Sequence, residues 1–339
     1  MNQKKEVYVC VTLYHLYLSL LIINKRRSKK DCILLLNAND HKIFEQFCRL
    51  REMLCQNGYK VDCRLRDKIK DIIGLEELIN QKQYLLAKRV LQSELDRDFI
   101  LFNFAWNLKY VYTTANIFYK KCAKAYFIEE GVLTPINPAQ PKYKVIIKRL
   151  LGGSVNYYRD EKLKGVYIQN PELYPAEWRK KLKRLEVKPM LELLDDKTKK
   201  MILKIFLGDF IDELNTAVRN DVGIIYTQPL SEDGYITESE KQKYFLEMVT
   251  YYKKYGHPVV KIHPRDITEY QFSDDVTVLP AYFPSELLAL LDIRFKYAVG
   301  ICTSAVPTTN TENKLNINEN FLNDRKFRLK PLERLETIK

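Results

Sequence analysis

Short apolar runs alternate with longer segments of helical periodicity along the first half of the chain, and this pattern predicts an α/β protein. The run at 32–37 (CILLLN) is apolar at nearly every position, as in strands buried on both faces of a parallel sheet. Strands are predicted at 7–12, 32–37, 60–65, 99–104 and 125–128, and helices at 14–24, 42–56, 74–97 and 107–121. Such an alternation predicts a doubly wound parallel sheet.

The second half repeats the alternation after a stretch rich in turn-forming residues, including the prolines of 133–141 and Gly152-Gly153. Strands are predicted at 222–227, 258–262, 276–279 and 297–300, and helices at 197–206, 239–255 and 284–291, with Ser239 as an N-cap. The predicted organisation is an N-terminal Rossmann-like domain at 1–160, a linker at 161–190, a C-terminal Rossmann-like domain at 191–306 and a tail at 307–339. The tail is expected to pack back on the N-terminal domain or to be partly disordered.

The composition of the 339 residues is that of a globular protein, with 46% hydrophobic and 29% charged residues. This excludes a mainly disordered chain, a collagen-like fibre and a polytopic membrane protein. The net charge of +13 favours a polyanionic partner, such as nucleic acid, anionic lipid or phosphorylated glycan. A solvated basic surface is the alternative. Since no aromatic–basic motif of the single-strand-binding type is present, nucleic acid is the least favoured partner.

Cysteine usage and the N-terminal apolar segment both indicate a cytoplasmic protein. The seven cysteines form no C-x-x-C and no Cys/His pair at ligand spacing, so we expect reduced, buried thiols and no zinc site. The apolar segment 7–24 lies between basic residues like a signal anchor, but it contains polar side chains and no small-residue cleavage site follows it. It is interpreted as a buried strand followed by a helix.

Polar residues that directly follow predicted strands are the candidates for a site, because ligands bind beyond the carboxyl ends of parallel strands. Glu129, Glu130 and Gly131 follow the strand at 125–128. Two adjacent carboxylates raise each other's pKa by repulsion, which suits a general base, and the glycine permits a sharp turn. A solvated acidic turn is the alternative interpretation.

Three further groups follow or flank strands of the second half. His263 and Arg265 follow the strand at 258–262 and offer donors to a phosphate, although Arg265 could instead pair with Asp266 on the surface. Glu286 suits either the positive end of a helix dipole or a ribose diol. Thr303-Ser304 could bind an anion through hydroxyl and backbone N–H groups, or could cap a helix.

The order and spacing of these motifs resemble the bacterial sialyltransferases of glycosyltransferase family 52, which build capsules and lipooligosaccharides. The resemblance covers residues 7–306 and rests on T-L-Y-H-L at 12–16, E-E-G at 129–131, T-Q-P-L-S-E-D-G at 227–234, H-P-R-D at 263–266, P-S-E at 284–286 and Thr303-Ser304. It implies an α/β fold of the glycosyltransferase-B type, in which two Rossmann-like domains face a central cleft. It also implies CMP-sialic acid as donor, a galactose-containing acceptor, inversion at the anomeric carbon, and neither a cofactor nor an essential metal.

The resemblance also implies a role for each matching residue. Either Glu129 or Glu130 would be the base, and His263 would stabilise or protonate the departing CMP phosphate. The residues implied to bind the donor are Gly131, Gln228, Pro229, Pro264, Arg265, Glu286, Thr303 and Ser304, and those implied on the acceptor side are Thr12, Tyr14 and His15. Related enzymes often carry Asp in place of these glutamates and Ser-Ser in place of Thr-Ser.

The charge surplus would then hold the enzyme at the anionic inner face of the membrane, with 143–151 and 179–184 as candidate contact segments. A homodimer is left open. The alternatives to this interpretation are another metal-independent inverting glycosyltransferase with a different nucleotide-sugar donor, and, less favoured, a basic nucleic-acid-binding protein.

Overall fold

The computed structural model describes residues 5–38, 41–65, 98–104, 116–129, 159–174, 176–208, 210–217, 222–291, 293–303 and 305–317. These residues divide between two compact units, Met1–Met201 and Ile202–Lys339. Each unit contains one sheet, and every strand pair in both sheets is parallel. The predicted α/β class therefore holds for both halves of the chain.

The first unit has a seven-stranded sheet in the order β3-β2-β1-β4-β5-β6-β7. Its strands are β1 Glu6–Cys10, β2 Cys32–Ala38, β3 Lys60–Leu65, β4 Ile100–Asn103, β5 Lys124–Ile128, β6 Leu163–Ile168 and β7 Leu182–Arg184. Its helices are α1 Leu13–Arg26, α2 His41–Gln56, α3 Asn116–Lys121 and α4 Val187–Glu192, while α5 Asp196–Leu207 crosses into the second unit. One face of this sheet forms a core in which Val7, Leu101 and Phe127 are fully buried.

The second unit has a five-stranded sheet in the order β10-β9-β8-β11-β12. Its strands are β8 Val222–Tyr226, β9 His257–Lys261, β10 Thr277–Leu279, β11 Tyr297–Ile301 and β12 Asn313–Ile317. Its α-helices are α6 Phe210–Ala217, α7 Glu238–Tyr252 and α8 Ala305–Thr308, and a 3₁₀ helix spans Ser285–Leu290. The predicted helix at 284–291 is thus a 3₁₀ helix, and Pro284 precedes it.

Hydroxyl side chains start the first helix of one unit and the long helix of the other. The first predicted strand ends at Cys10, and Thr12 caps α1 by accepting a hydrogen bond from the His15 N–H at 3.2 Å. The predicted N-cap Ser239 is wrong, because Thr237 caps α7 and Glu240 completes a capping box with it. The threonine is favoured because the glutamate three residues later bonds back to its backbone N–H.

Two glycines of the second sheet allow side chains to approach the backbone more closely than a Cβ atom would permit. A Cβ on Gly223 would lie 1.8 Å from the Tyr297 ring, so this ring packs against the bare backbone of β8. A Cβ on Gly300 would lie 2.5 Å from Cγ2 of Thr303. Gly300 therefore lets the chain turn tightly back at the carboxyl end of β11.

The boundaries predicted for the linker and the tail differ from the structure. Residues 163–168 and 182–184, placed in the linker, form β6 and β7 of the first sheet, and the division between units falls after Met201. Residues 313–317, placed in the tail, form β12, which pairs with β11 of the second sheet. The rest of the tail, 318–339, lies outside the described residues.

The cysteines are free thiols, as predicted, but not all are buried. Cys10, Cys32 and Cys122 are buried, whereas Cys48 and Cys55 on α2 are exposed. Within the described residues, every helix is too short or too polar to cross a lipid bilayer.

Candidate functional site

In each sheet, later strands lie on both sides of the first strand, and this arrangement creates a topological switch point. Candidate residues lie beyond the carboxyl ends of strands near that point. In the first sheet β1 has β2 on one side and β4 on the other, and in the second sheet β8 lies between β9 and β11. Open α/β sheets bind ligands at such switch points. Glu129, His263 and Thr303 follow the strands β5, β9 and β11, whereas Glu286 lies on the 3₁₀ helix Ser285–Leu290.

Glu129 directly follows β5 and is buried, with 3% of its surface exposed. Its Oε2 accepts a hydrogen bond from the backbone N–H of Gln169 at 2.8 Å, and its Oε1 is buried with no hydrogen-bond partner among the described residues. Burial raises the pKa of Glu129 from 4.5 to about 7, against the opposing hydrogen bonds from Gln169. Mutual repulsion was the expected cause, but burial is the largest one. Glu130 and Gly131 lie outside the described residues.

The acceptor-side candidates Thr12, Tyr14 and His15 lie at the start of α1. The Tyr14 hydroxyl accepts a hydrogen bond from Nε2 of Gln169 at 3.4 Å, so Gln169 contacts both Tyr14 and Glu129. Sequence analysis missed Gln169 because it placed 163–168 in the linker and therefore predicted no strand before this residue.

His15 is fully buried and its ring stacks on Phe104, with ring centroids 5.0 Å apart. Its Nδ1 accepts a hydrogen bond from the Val11 N–H at 3.2 Å, which leaves the proton of the neutral ring on Nε2. Burial lowers the pKa of His15 to about 3, so the ring stays neutral at physiological pH. Its Nε2 has no partner among the described residues.

In the second unit, His263 follows β9 and is held by hydrogen bonds at the backbone and at the ring. Its N–H donates to Oγ1 of Thr227 at 2.9 Å, and its Nδ1 accepts the N–H of Arg265 at 3.1 Å. Burial, with the nearby charges of Arg265 and Lys261, lowers the pKa of His263 to about 3. The neutral ring then carries its proton on Nε2 and can donate a hydrogen bond.

Arg265 pairs with a residue of the T-Q-P-L-S-E-D-G loop rather than with its sequence neighbour. Its Nη2 lies 2.6 Å from both carboxylate oxygens of Asp233, so the alternative interpretation of a surface pair with Asp266 is wrong. Asp266 is buried and its Oδ1 lies 2.7 Å from Nζ of Lys241. Arg265 therefore joins the H-P-R-D loop to the neighbouring loop through Nη2, while 51% of its side chain remains exposed.

Lys241 on α7, which the sequence analysis missed, forms an ion pair with a carboxylate of each of the same two loops. Its fully buried Nζ lies 2.6 Å from Oε2 of Glu232 and 2.7 Å from Oδ1 of Asp266. Burial opposes ionisation of Glu232, but its hydrogen bonds, chiefly from Lys241, bring its pKa down to about 2. The two loops that matched the family motifs are thus bound together by ion pairs on two sides.

Thr303 follows β11, and its backbone is already bonded. Its N–H donates to Oδ1 of Asn316 at 3.1 Å, and its hydroxyl accepts the N–H of Ala305 at 3.2 Å. The expectation of free backbone N–H groups is therefore wrong at Thr303, whose hydroxyl also bonds the first N–H of the short helix α8. Cys302 before it has φ 47°, a left-handed conformation unusual for a non-glycine residue. Ser304 lies outside the described residues.

Glu286 lines a recess of the second unit together with Tyr226, Thr309 and Asn310. The Tyr226 hydroxyl and Oγ1 of Thr309 are 2.6 Å apart at this recess. Burial lowers the pKa of Lys261 to about 7, while the charge of Glu286 acts to raise it. Glu286 is therefore a partly buried carboxylate beside polar groups, which suits hydrogen bonds to hydroxyls.

The remaining candidates lie in loops at the same edge of the second sheet. Gln228 and Pro264 are partly buried and Pro229 is buried. Among the described residues, no cluster of three or more His, Cys, Asp or Glu side chains could hold a metal ion.

Of the two segments expected to contact a membrane, 143–151 lies outside the described residues. In 179–184, Lys181 donates to the carbonyl oxygens of Asp160 and Leu163. Arg184 donates to the Gln169 carbonyl and to Glu172. Both cations thus have bonding partners within the protein.

Each unit has a parallel α/β sheet, as a fold of the glycosyltransferase-B type requires, and comparison with a known structure supports that class. An α/β-galactoside α-2,3-sialyltransferase from the luminous marine bacterium Photobacterium phosphoreum aligns with TM-score 0.55 and 16% identity, over 93% of this chain and 91% of that chain. A UDP-GlcNAc 2-epimerase from Methanocaldococcus jannaschii aligns with TM-score 0.49 and 12% identity, over 99% of this chain and 92% of that chain. The likeness in fold to the sialyltransferase confirms the predicted fold class.

Residues 115–318 match glycosyltransferase family 52, and the chain belongs to this family. The resemblance drawn from the motifs is confirmed. A protein of Haemophilus influenzae without an assigned function is 28% identical over 190 residues, which are 56% of this chain and 60% of that protein. The match thus spans less than two thirds of this relative.

Proposed function

We propose that this chain is an inverting sialyltransferase that moves sialic acid from CMP-sialic acid to a galactose-containing acceptor. The observation that carries the proposal is Glu129, a buried carboxyl at a strand end with one oxygen bonded and the other without a partner among the described residues. Its pKa of about 7 matches the requirement of a general base at neutral pH. Family membership and the likeness in fold to a sialyltransferase agree with this chemistry.

The proposed reaction is a single displacement. Oε1 of Glu129 takes the proton of the acceptor hydroxyl while that hydroxyl oxygen bonds to the anomeric carbon of sialic acid. The bond from this carbon to the phosphate oxygen breaks in the same step, and CMP leaves with its electron pair. Attack opposite the leaving group inverts the anomeric configuration.

The departing phosphate would be stabilised by neutral hydrogen-bond donors in place of a metal ion. His263 contributes its Nε2–H as a neutral donor, because its low pKa disfavours the protonated ring in the free protein. The Thr303 hydroxyl is a second candidate donor, and Glu286 would accept hydrogen bonds from the ribose hydroxyls. The single phosphate of CMP needs less charge compensation than a diphosphate donor would.

The proposed acceptor is part of a capsular polysaccharide or lipooligosaccharide, and the enzyme would work in the cytoplasm, peripherally at the inner face of the membrane. The net charge of +13 supports an anionic surface as partner. Reversal of Lys144, Lys148 and Arg149 to Glu should weaken binding to anionic liposomes, and unchanged binding would contradict this contact.

The experiment is CMP release from CMP-sialic acid by the purified protein, with EDTA present and with or without lactose. Lactose-dependent release is expected. A fall in release of about 10²-fold or more is expected in Glu129→Gln, and comparison with Glu130→Gln tells which carboxylate is the base. Exposed Glu161→Gln is the matched control and should retain activity.

Another inverting transferase on the same fold, with a different nucleotide-sugar donor, is the second candidate. It is favoured if UDP-sugars are turned over and CMP-sialic acid is not, with magnesium restored. Salt-sensitive RNA binding without affinity for CMP would instead support a nucleic-acid-binding protein.

A further inference from the structure

We infer that Gln169 is the positioning residue of the base: it holds Oε2 of Glu129 and joins it to Tyr14, so that Oε1 is the oxygen presented to the acceptor hydroxyl. This inference rests on the proposed function, in which Glu129 is the base. No role for Gln169 follows from the motifs that identified the other candidates.

The strand ladder places Gln169 beside Glu129. β5 pairs with β6 so that Ile128 lies opposite Tyr167, and the Glu129 N–H continues the ladder by donating to the Tyr167 carbonyl at 2.9 Å. The Gln169 N–H then reaches Oε2 of Glu129 at 2.8 Å. This bond occupies one carboxylate oxygen of Glu129, and its donor is the backbone of the residue that directly follows β6.

Gln169 is itself held on its other side. Its carbonyl accepts a hydrogen bond from Nη1 of Arg184 at 2.9 Å, and the preceding carbonyl of Ile168 accepts the Leu185 N–H at 2.7 Å. The first residues after β6 are therefore fixed by β7 and cannot drift from the carboxylate.

The side-chain amide adds a connection that the strand ladder does not provide. Nε2 of Gln169 donates to the Tyr14 hydroxyl at 3.4 Å, at the start of α1. The amide also favours the ionised carboxylate of Glu129, as does the backbone N–H. Gln169 therefore links the base, through its backbone N–H, to the helix whose first turn carries the acceptor-side candidates, through its side chain. Its amide also helps to keep that base deprotonated.

The first test compares the pH dependence of kcat/KM in the wild type, Gln169→Leu and Gln169→Glu. Loss of the amide should lower kcat about tenfold, the effect of one hydrogen bond, and should move the acid limb of the profile to higher pH. A glutamate should move it further, because a second carboxylate disfavours ionisation of Glu129. Gln56→Leu, at the exposed last position of α2, is the matched control and should leave kcat and the acid limb unchanged.

An acid limb that stays in place in Gln169→Leu overturns the inference, even if the rate falls, because a purely structural role lowers activity without moving a pKa. A second readout needs no substrate. The stability difference between wild type and Glu129→Gln changes over the pH range in which Glu129 titrates. This range should move to higher pH when both proteins also carry Gln169→Leu, and an unmoved range also overturns the inference. If wild type shows no transfer from CMP-sialic acid, the proposed function fails, and this second readout still decides the role of Gln169.

Discussion

Replacing the candidate base with its neutral analogue should stabilise the protein at alkaline pH while abolishing activity. In the folded chain Glu129 is buried and its pKa is raised from 4.5 to about 7. The folded state therefore holds the proton more tightly than the unfolded state. Between these two pKa values the folded state binds more protons, so the contribution of Glu129 to stability falls as the pH rises.

The magnitude follows from the size of the pKa shift. At 1.36 kcal/mol per unit, ionising Glu129 in the folded chain costs about 3 kcal/mol at pH values above the folded pKa. Glutamine stays neutral at every pH, and its carbonyl can still accept the Gln169 N–H. Any misfit of the new amide is independent of pH. Only the charge of Glu129 makes the difference in unfolding free energy between wild type and variant depend on pH. The pH dependence of this difference therefore measures the cost of that charge.

The assay is urea unfolding of wild type and Glu129→Gln at about pH 5 and about pH 8.5, followed by tryptophan fluorescence. Both tryptophans, at 106 and 178, belong to the first unit, which carries Glu129. The variant should gain about 2 to 3 kcal/mol relative to wild type between the two pH values. The exposed control Glu161→Gln should gain nothing. A stability difference for Glu129→Gln that does not change with pH would refute a raised pKa at this carboxyl.

Three other predictions concern the second unit. Lys241→Met leaves the buried Asp266 and the partly exposed Glu232 without their cation. It should destabilise this unit by about 3 kcal/mol in urea, and an unchanged midpoint would contradict the ion-pair network. Gly223→Ala forces the Tyr297 ring to move and should lower stability by about 1 to 3 kcal/mol. Gly165→Ala crowds only the flexible Lys183 side chain and makes an ordinary contact with the Tyr126 ring, so it should cost less; equal losses measured by thermal unfolding would count against this packing. His263→Ala should lower kcat by about 10² to 10³-fold with little change in Tm, and wild-type turnover would remove it from the site.

Apolar runs buried on both faces made most of the fold predictable. The apolar strand predicted at 32–37 extends only one residue further in the structure, and the predicted helix at 42–56 begins one residue earlier. The strands β6, β7 and β12 were missed because their sequences mix charged and polar residues with apolar ones. β7 and β12 lie at the edges of their sheets, where only part of each strand is buried.

Only those site residues that directly follow a predicted strand could be predicted from the sequence. Glu129 and His263 were found because each comes directly after an apolar run. Lys241 was missed because a lysine on a long helix is expected to be solvent-exposed. Its burial depends on two carboxylates from loops that are distant in sequence. The bonded N–H of Thr303 depends in the same way on Asn316, from a strand that the sequence pattern did not predict.

The most direct test of the central claim is the identity of the product. Wild-type protein is incubated with CMP-sialic acid and lactose, and the new glycosidic bond is assigned by NMR. The account predicts a sialyl-lactose whose anomeric configuration is opposite to that of the donor, formed by wild type and not by Glu129→Gln. A product of retained configuration, or equal product from Glu129→Gln, would contradict single displacement with Glu129 as the base.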